Sequence, residues 1–494
     1  MLFTKVSPLF LGTAAALMLL SGCAAEDPYA PVEAPEIDSK FDIDKVWADS
    51  IGSGVGDFWS ALRPDFAAGT VYAASRDGDV FGIVAADGDK IWHTDLSDEE
   101  ENDSSRSTRL SGGVSAYAGK VAVGSENGYL YLLNAIDGAL LWKNYTASEL
   151  VSRPAFSKSG DRVFVMDHRG RVFAYDCATG EQLWVSGDSP NVLRLRAQSD
   201  IVPVGDDFLV MGQSNGKVSV LLQSTGAIVN SLTIAEVTGA NALSRVSDVS
   251  ATPVFDGSDL WVISYNGGMV RYSFAEHRNL VKLAYSSSLQ PAMDDSVIVI
   301  TNDDGHLFCI NRSDYSERWS NTALSYRNVT APVIYGDYAV AGDYEGYLYF
   351  FNLENGSIDG MFSVDGSGIY DAPVVADGKL YVTSRDGDLY CYDYDPTGSA
   401  FSKETAAKMR ADYAAVGVDL RAPGVGDSGI YAPDSISMDA LMARRAAVIQ
   451  AARQAEARQR AAEAQMREYE KRRQEYEERV AAERERLSGF GIAP

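Results

Sequence analysis

The sequence predicts an all-β fold, an eight-bladed β-propeller of four-stranded antiparallel blades, with a long α-helix added at the C-terminus. Three observations carry the propeller: a turn glycine between two apolar strands that recurs eight times, the spacing of the recurrences, and a tryptophan behind a second turn. The glycines are Gly78, Gly128, Gly170, Gly216, Gly267, Gly305, Gly346 and Gly387, separated by 50, 42, 46, 51, 38, 41 and 41 residues. That period fits a four-stranded blade and is too long for a leucine-rich or ankyrin unit. Ser75-Arg76-Asp77-Gly78 and Ser384-Arg385-Asp386-Gly387 read as hairpin turns, where positive φ favours glycine over any residue with a Cβ.

Behind each turn comes a strand that is apolar on both faces, as in Val80-Phe81-Gly82-Ile83 and Leu348-Tyr349-Phe350-Phe351. Strands sandwiched between neighbouring blades have this character. A second turn falls ten residues after the first at Gly88, Gly138, Gly180, Gly226 and Gly356. Trp92, Trp142 and Trp184 follow the first three of these, and Trp319 holds the equivalent place in the sixth repeat. Each indole is expected to cover a seam between blades. The eighth repeat shows no outer strand, whereas an orphan Lys45-Val46-Trp47-Ala48 precedes the first. The segment from about Phe41 to Ile51 is therefore expected to supply the missing strand and close the ring, removing an exposed sheet edge.

The start of the chain has one basic residue, Lys5, and an apolar run from Leu9 to Leu20, too short for a comfortable membrane span. Leu20-Ser21-Gly22-Cys23 resembles the bacterial lipobox, which implies a signal peptide over 1–22 and a lipid-modified Cys23, carrying diacylglycerol and palmitate, as the mature first residue. Such chains give a membrane anchor. Ala24 and Ala25 in place of an aspartate favour the outer membrane, with the protein facing the periplasm. Cys177, Cys309 and Cys391 do not form a disulfide framework and are expected to be buried, inert thiols. The balance of 43 Lys+Arg against 69 Asp+Glu, a formal charge of -26, argues against nucleic-acid binding.

Five regions follow: the signal peptide, a lipid-anchored linker over 23–42, the propeller over 43–396, a flexible linker over 397–433, and a charged helix over 434–488. In the helix Leu441, Val448, Ala452, Ala455, Met466, Tyr469 and Tyr476 form a thin stripe near heptad spacing, interrupted by Arg445, Gln459 and Arg473. Three arrangements suit it: a solvated helix, a coiled coil with itself or an unknown partner, and packing on the propeller.

Asp176-Cys177-Ala178-Thr179-Gly180-Glu181-Gln182-Leu183-Trp184 resembles the tryptophan-docking repeat of quinoprotein-like (PQQ-like) propellers. The resemblance narrows with Ser50-Ile51-Gly52-Ser53-Gly54-Val55-Gly56, Leu110-Ser111-Gly112-Gly113-Val114, Ser152-Arg153-Pro154, Arg245-Val246-Ser247-Asp248-Val249 and Gly342-Asp343-Tyr344-Glu345-Gly346. With these segments in order, residues 44 to about 395 resemble the BamB family, propeller lipoproteins of the outer-membrane β-barrel assembly (BAM) machinery. That resemblance implies a non-catalytic scaffold that binds the periplasmic POTRA domains of the central barrel subunit and assists insertion of outer-membrane proteins. It also leaves room for contact with unfolded outer-membrane proteins. The family's loop signature corresponds to Leu193, Leu195 and Arg196 here, followed by Asp248. Leu193 and Leu195 alternate to one side of an extended segment, and Arg196 offers a forked donor. The family's second acid, two positions after Asp248, is Ser250 in this chain.

Two other functions compete. One is a periplasmic propeller adaptor of another envelope pathway, since fold alone does not fix function. The other is a quinone-dependent dehydrogenase, which resembles this chain in the tryptophan motif but typically carries a vicinal Cys-Cys pair and a calcium site. No Cys-Cys pair occurs here, and His93, His168, His277 and His306 fall in different repeats without metal-ligand spacing. The sequence therefore gives no catalytic residue, cofactor-binding residue or metal ligand.

Overall fold

The structure, a computed structural model, describes residues 27–97, 108–187, 198–214, 216–235 and 247–394. Cys23 with the signal peptide, Leu193, Leu195 and Arg196, and the expected C-terminal helix lie outside the described residues.

Eight sheets follow one another around a ring, each an antiparallel meander of four strands from the axis outward. Blade 1 comprises Asp65–Ala67, Thr70–Ala74, Asp79–Val84 and Lys90–Asp95; blades 2 to 6 follow over 110–145, 155–186, 202–233, 254–283 and 292–321; blade 7 comprises Val333–Tyr335, Tyr338–Gly342, Tyr347–Asn352 and Ile358–Ser363, and blade 8 spans 374–393. The second and third strands of each blade are nearly all buried, as their two-faced apolar sequences require. Blade 2 gains a fifth strand, Ala61–Leu62, which pairs in parallel with Gly112 and Gly113 and was not anticipated from the repeats.

The ring closes as the orphan segment suggests. Asp44–Ser50 forms the outermost strand of blade 8, antiparallel to Asp388–Asp393, with Trp47 opposite Cys391. Its indole N–H donates to the Ala85 carbonyl of blade 1 at 2.9 Å. The same bond recurs at four other seams: Trp92 to Ala135 at 2.9 Å, and Trp142 to Cys177, Trp184 to Gln223 and Trp319 to Leu353 at 3.0 Å. Two residues further on, Thr94, Asn144 and Asn321 donate to the carbonyls of Gly138, Gly180 and Gly356. These second-turn glycines thus have two reasons to be glycine. Their φ values are positive, and a Cβ on Gly138 would come within 2.4 Å of the Trp92 ring.

Closure also draws the chain inward after Ser50. Ile51 donates its N–H to Gly387, and Val55 and Gly56 donate theirs to Arg385, so this stretch is wedged between the turns of blades 8 and 1. At Gly54, with φ of 66°, a Cβ would sit 2.0 Å from the Arg385 carbonyl oxygen. The Gly52-Ser53-Gly54 sequence is therefore a fitted wedge.

The three described cysteines are buried in the third strands of their blades or just beyond them. Cys309 lies opposite Trp319 and Cys391 opposite Trp47, so the two hold the same core position in their blades. Burial pushes the Cys177 and Cys391 thiols up to about 12 and Cys309 up to about 11.

Two outcomes are expected. Trp47→Ala removes an indole and its bond across the closing seam, and should lower unfolding free energy by about 3–5 kcal/mol in denaturant titrations. A stability within 1 kcal/mol of the parent, about the cost of one net hydrogen bond, would show that closure does not depend on this contact. In the native protein at pH 8 the raised thiol pKa values leave little thiolate, so Cys177, Cys309 and Cys391 should stay unmodified by a thiol reagent that labels them all after denaturation.

Candidate partner-binding face

The meander assigns loops to two faces. Turns between second and third strands share one face with the connections between blades, and the remaining turns lie on the other. The first is called the turn face here. Gln198 donates to the carbonyl of Asp167, in the first turn of blade 3, at 2.7 Å. Gly187, at the other end of the undescribed 188–197 connection, lies near the Gly170 carbonyl. Both anchors of the segment carrying Leu193, Leu195 and Arg196 therefore belong to the turn face at the seam of blades 3 and 4.

Asp248 lies at the next seam, between blades 4 and 5, and is 3% exposed. Its backbone is held from two sides: Tyr265 of blade 5 donates its N–H to the Asp248 carbonyl at 3.0 Å, and Val249 donates to Gln213 of blade 4 at 3.0 Å. Gly212 permits that approach, since a Cβ there would meet the Val249 carbonyl oxygen at 1.9 Å. Asp248 is thus enclosed between first turns instead of standing proud of the surface as a free acid. Ser250 is also buried, with its hydroxyl donating to the Ser288 carbonyl at 3.3 Å. Where the family pattern has a second acid, this chain has a hydroxyl joined to the next interblade loop.

Exposed apolar side chains concentrate close by. Of thirteen large exposed hydrophobic residues among the described ones, nine belong to blades 2–4, which marks this arc as unlike the rest of the rim. Leu140, Leu141, Leu183, Val185, Ile228 and Val229 come from the outermost strands Leu140–Tyr145, Gln182–Ser186 and Ile228–Thr233. Lys143 is the one charged residue in these strands. A crevice of about 180 Å³ opens between blades 3 and 4 beside Gly187, with Met211, Leu221 and Ile228 as its apolar part and Gln213 and Lys217 as polar neighbours. Sequence reasoning missed this arc, although three successive outer strands with apolar residues at outward positions were a readable signal.

The opposite face leads to the axis. A cavity of about 470 Å³ is lined by Arg63, Asp65, Arg153, Asp200, Thr252 and Gln290 from the innermost segments of different blades. Arg153 donates through Nε to the Val114 carbonyl at 3.1 Å and lies 3.5 Å from Asp65, while its backbone N–H donates to Asp200 at 2.8 Å. Burial and the nearby Arg63 push the Arg153 pKa down, against the pull of Asp65, Asp200 and Asp371. Burial in turn raises the pKa of Asp371. Two guanidinium groups and three carboxyls thus largely neutralise one another and tie blades across the axis. The repeated Arg-Pro before innermost strands, at Arg63-Pro64 and Arg153-Pro154, was the unread clue. No group of three or more His, Cys, Asp or Glu suited to a metal occurs among the described residues.

A family model described as "Outer membrane protein assembly factor BamB" matches residues 76–321. The factor of that name from Yersinia pestis is 35% identical over 379 residues, covering 76% of this chain and 96% of its own. The chain belongs to the BamB family. The crystal structure of BamB from Moraxella catarrhalis superposes with a TM-score of 0.64 at 23% identity, covering 72% of this chain and all of that one. A quinohemoprotein alcohol dehydrogenase from Pseudomonas putida HK5 reaches a TM-score of 0.56 at 14% identity, covering 77% of this chain and 83% of that one. BamB membership therefore rests on sequence, because the propeller itself is common to assembly factors and dehydrogenases.

The axial cluster is expected to be structural. Arg153→Ala should take the guanidinium from Asp65 and from the Val114 carbonyl, lowering stability by about 3 kcal/mol in denaturant unfolding, while partner capture by the folded fraction stays unchanged. Loss of capture at full stability would assign the axis a binding role instead.

Proposed function

We propose that this protein is a non-catalytic scaffold lipoprotein of the outer-membrane β-barrel assembly complex. It is anchored through Cys23 on the periplasmic side of the outer membrane and holds the POTRA region of the central barrel subunit, so assisting the folding and insertion of outer-membrane proteins. Family membership supports the assembly role. The observation that carries the docking site is the apolar, nearly uncharged arc of blades 2–4 beside the anchors of the Leu193–Arg196 segment.

The chemistry of docking follows from that arc. Outermost strands present backbone groups on their free edge together with apolar side chains, a combination that suits an extended strand of a partner domain. Leu193 and Leu195 would supply apolar anchors and Arg196 a forked donor to carboxylates or carbonyls. Asp248, enclosed at the adjacent seam, would contribute by holding the first turns of blades 4 and 5 together. In a chain of formal charge -26, a neutral arc is also where a partner meets least electrostatic resistance.

Leu193→Ala combined with Leu195→Ala should abolish co-purification of the central barrel subunit from detergent-solubilised envelopes while the melting temperature stays within a degree or two of the parent. Undiminished capture by the double variant would remove this segment from the interface.

A further inference from the structure

The chain before the closing strand is docked. Ser39 exchanges two hydrogen bonds with Met361 in the outermost strand of blade 7, its hydroxyl donating at 3.3 Å and accepting at 3.0 Å. Lys40 donates its backbone N–H to the Asp359 carbonyl at 2.8 Å and pairs its ammonium with the Asp359 carboxylate at 2.6 Å. Phe41 enters a cage of Tyr338, Phe350, Phe362 and Tyr394, with ring centroids 4.7 to 5.7 Å away. From there the strap runs up the outside of blade 7 to the turn face. Val32 donates to the Ser325 carbonyl at 3.2 Å and accepts from Arg327 at 2.8 Å. Tyr29 meets Tyr326 edge to face at 5.5 Å.

Arg327 is the strap's buried anchor. It is fully enclosed, pairs with Asp343 at 2.7 Å and with Glu345, and lies 5.2 Å from the centre of the Tyr344 ring. The guanidinium holds the Glu345 carboxyl below its usual range. One guanidinium offsets only one of these two carboxylates, so the edge stays acidic, with Asp27, Asp303, Asp304 and Glu345 exposed; Asp27 accepts the Tyr29 N–H within its own turn at 3.0 Å. Beside these acids the edge offers tyrosine outward: Tyr29 is 69% exposed and Tyr326 is half-buried.

We propose that the edge of the turn face at blades 6 and 7, carrying Tyr29 and Tyr326, lies against phospholipid headgroups. The proposal rests on the reading of Cys23 as the lipid-bearing residue. Six Cα–Cα steps lead from Cys23 to Tyr29, the first described residue in contact with the ring, and fully extended they span at most about 22 Å. A ring strapped from Tyr29 onward therefore cannot swing on a long leash; the lipid surface is the nearest large partner this edge can meet. Tyrosine suits that place, with an apolar ring and a hydroxyl that can donate to phosphate. The overall charge of -26 directs the choice to zwitterionic headgroups, phosphatidylethanolamine in particular. In a ring of eight, blade 7 faces blade 3 across the axis, so the apolar arc of blades 2–4 is held on the side away from the bilayer.

The test uses the full mature chain with Cys23 coupled to a maleimide phospholipid in phosphatidylethanolamine-rich vesicles, the other three thiols being buried. A photoreactive benzoylphenylalanine replaces either Ala323, exposed in the loop before blade 7, or Ala147, exposed in the loop between blades 2 and 3. Lipid adducts should be several-fold more abundant from position 323. Inserting about twenty Gly/Ser residues after Cys23, which lengthens the reach without touching the strap, should erase that difference. Equal adducts from both positions in the parent, or a difference that survives the insertion, would overturn the proposal. Mass spectrometry of the protein from its own envelope separates the two readings: a bare Cys23 thiol would remove the lipoprotein assignment and leave the crosslinking result to judge the edge.

Discussion

The indole N–H that each of five outermost strands gives to a carbonyl of the following blade is the contact on which the ring depends. A four-stranded sheet buries its faces only against neighbours, so blades have little stability of their own, and the seams determine whether the assembly holds. A tryptophan suits a seam because one side chain supplies both a large apolar face and a directed donor. The second-turn glycines follow from it, since the ring occupies the space their side chains would need. Seams without this latch use other means: Trp261 between Arg271 and Arg312 near blade 6, and Tyr335 donating to the Gly378 carbonyl between blades 7 and 8.

The features legible in the sequence were those that repeat. Turn glycines, two-faced apolar strands and tryptophans recur at a fixed spacing, and the missing eighth strand could be matched with the orphan around Trp47 because both departed from the same template. Features that occur once were hidden. The strap over 27–41 has no periodicity, and its contacts with blade 7 lie about three hundred residues away along the chain. Asp248 entered as a partner-contacting acid through the family resemblance, whereas the fold closes two turns of adjacent blades over it. The axial cluster was written as two Arg-Pro pairs, but only the ring brings Arg63 and Arg153 together.

The two faces and the rim divide the work. The axis is filled with compensating charge, which fixes the innermost strands relative to one another. The turn face carries the long interblade connections and the docked tether, and the rim of blades 2–4 carries the apolar surface. A quinohemoprotein dehydrogenase shares the propeller fold, so the ring alone does not fix function. What distinguishes the present chain is where it spends apolar residues outside the core and how it holds its own N-terminal segment.

Closure by the first strand also sets an order of events. Trp47 and Cys391 pair although 344 residues separate them. The outermost strand of blade 8 is made first, yet its partner is made only when the last blade is complete. Until then Asp44–Ser50 has no sheet to join, and every earlier blade waits on an unfinished circle. Contacts of such long range form slowly, and open strand edges invite mispairing in the interval. Chaperones of the compartment in which the protein folds would therefore meet its most vulnerable form as an arc of assembled blades whose last seam is still ajar.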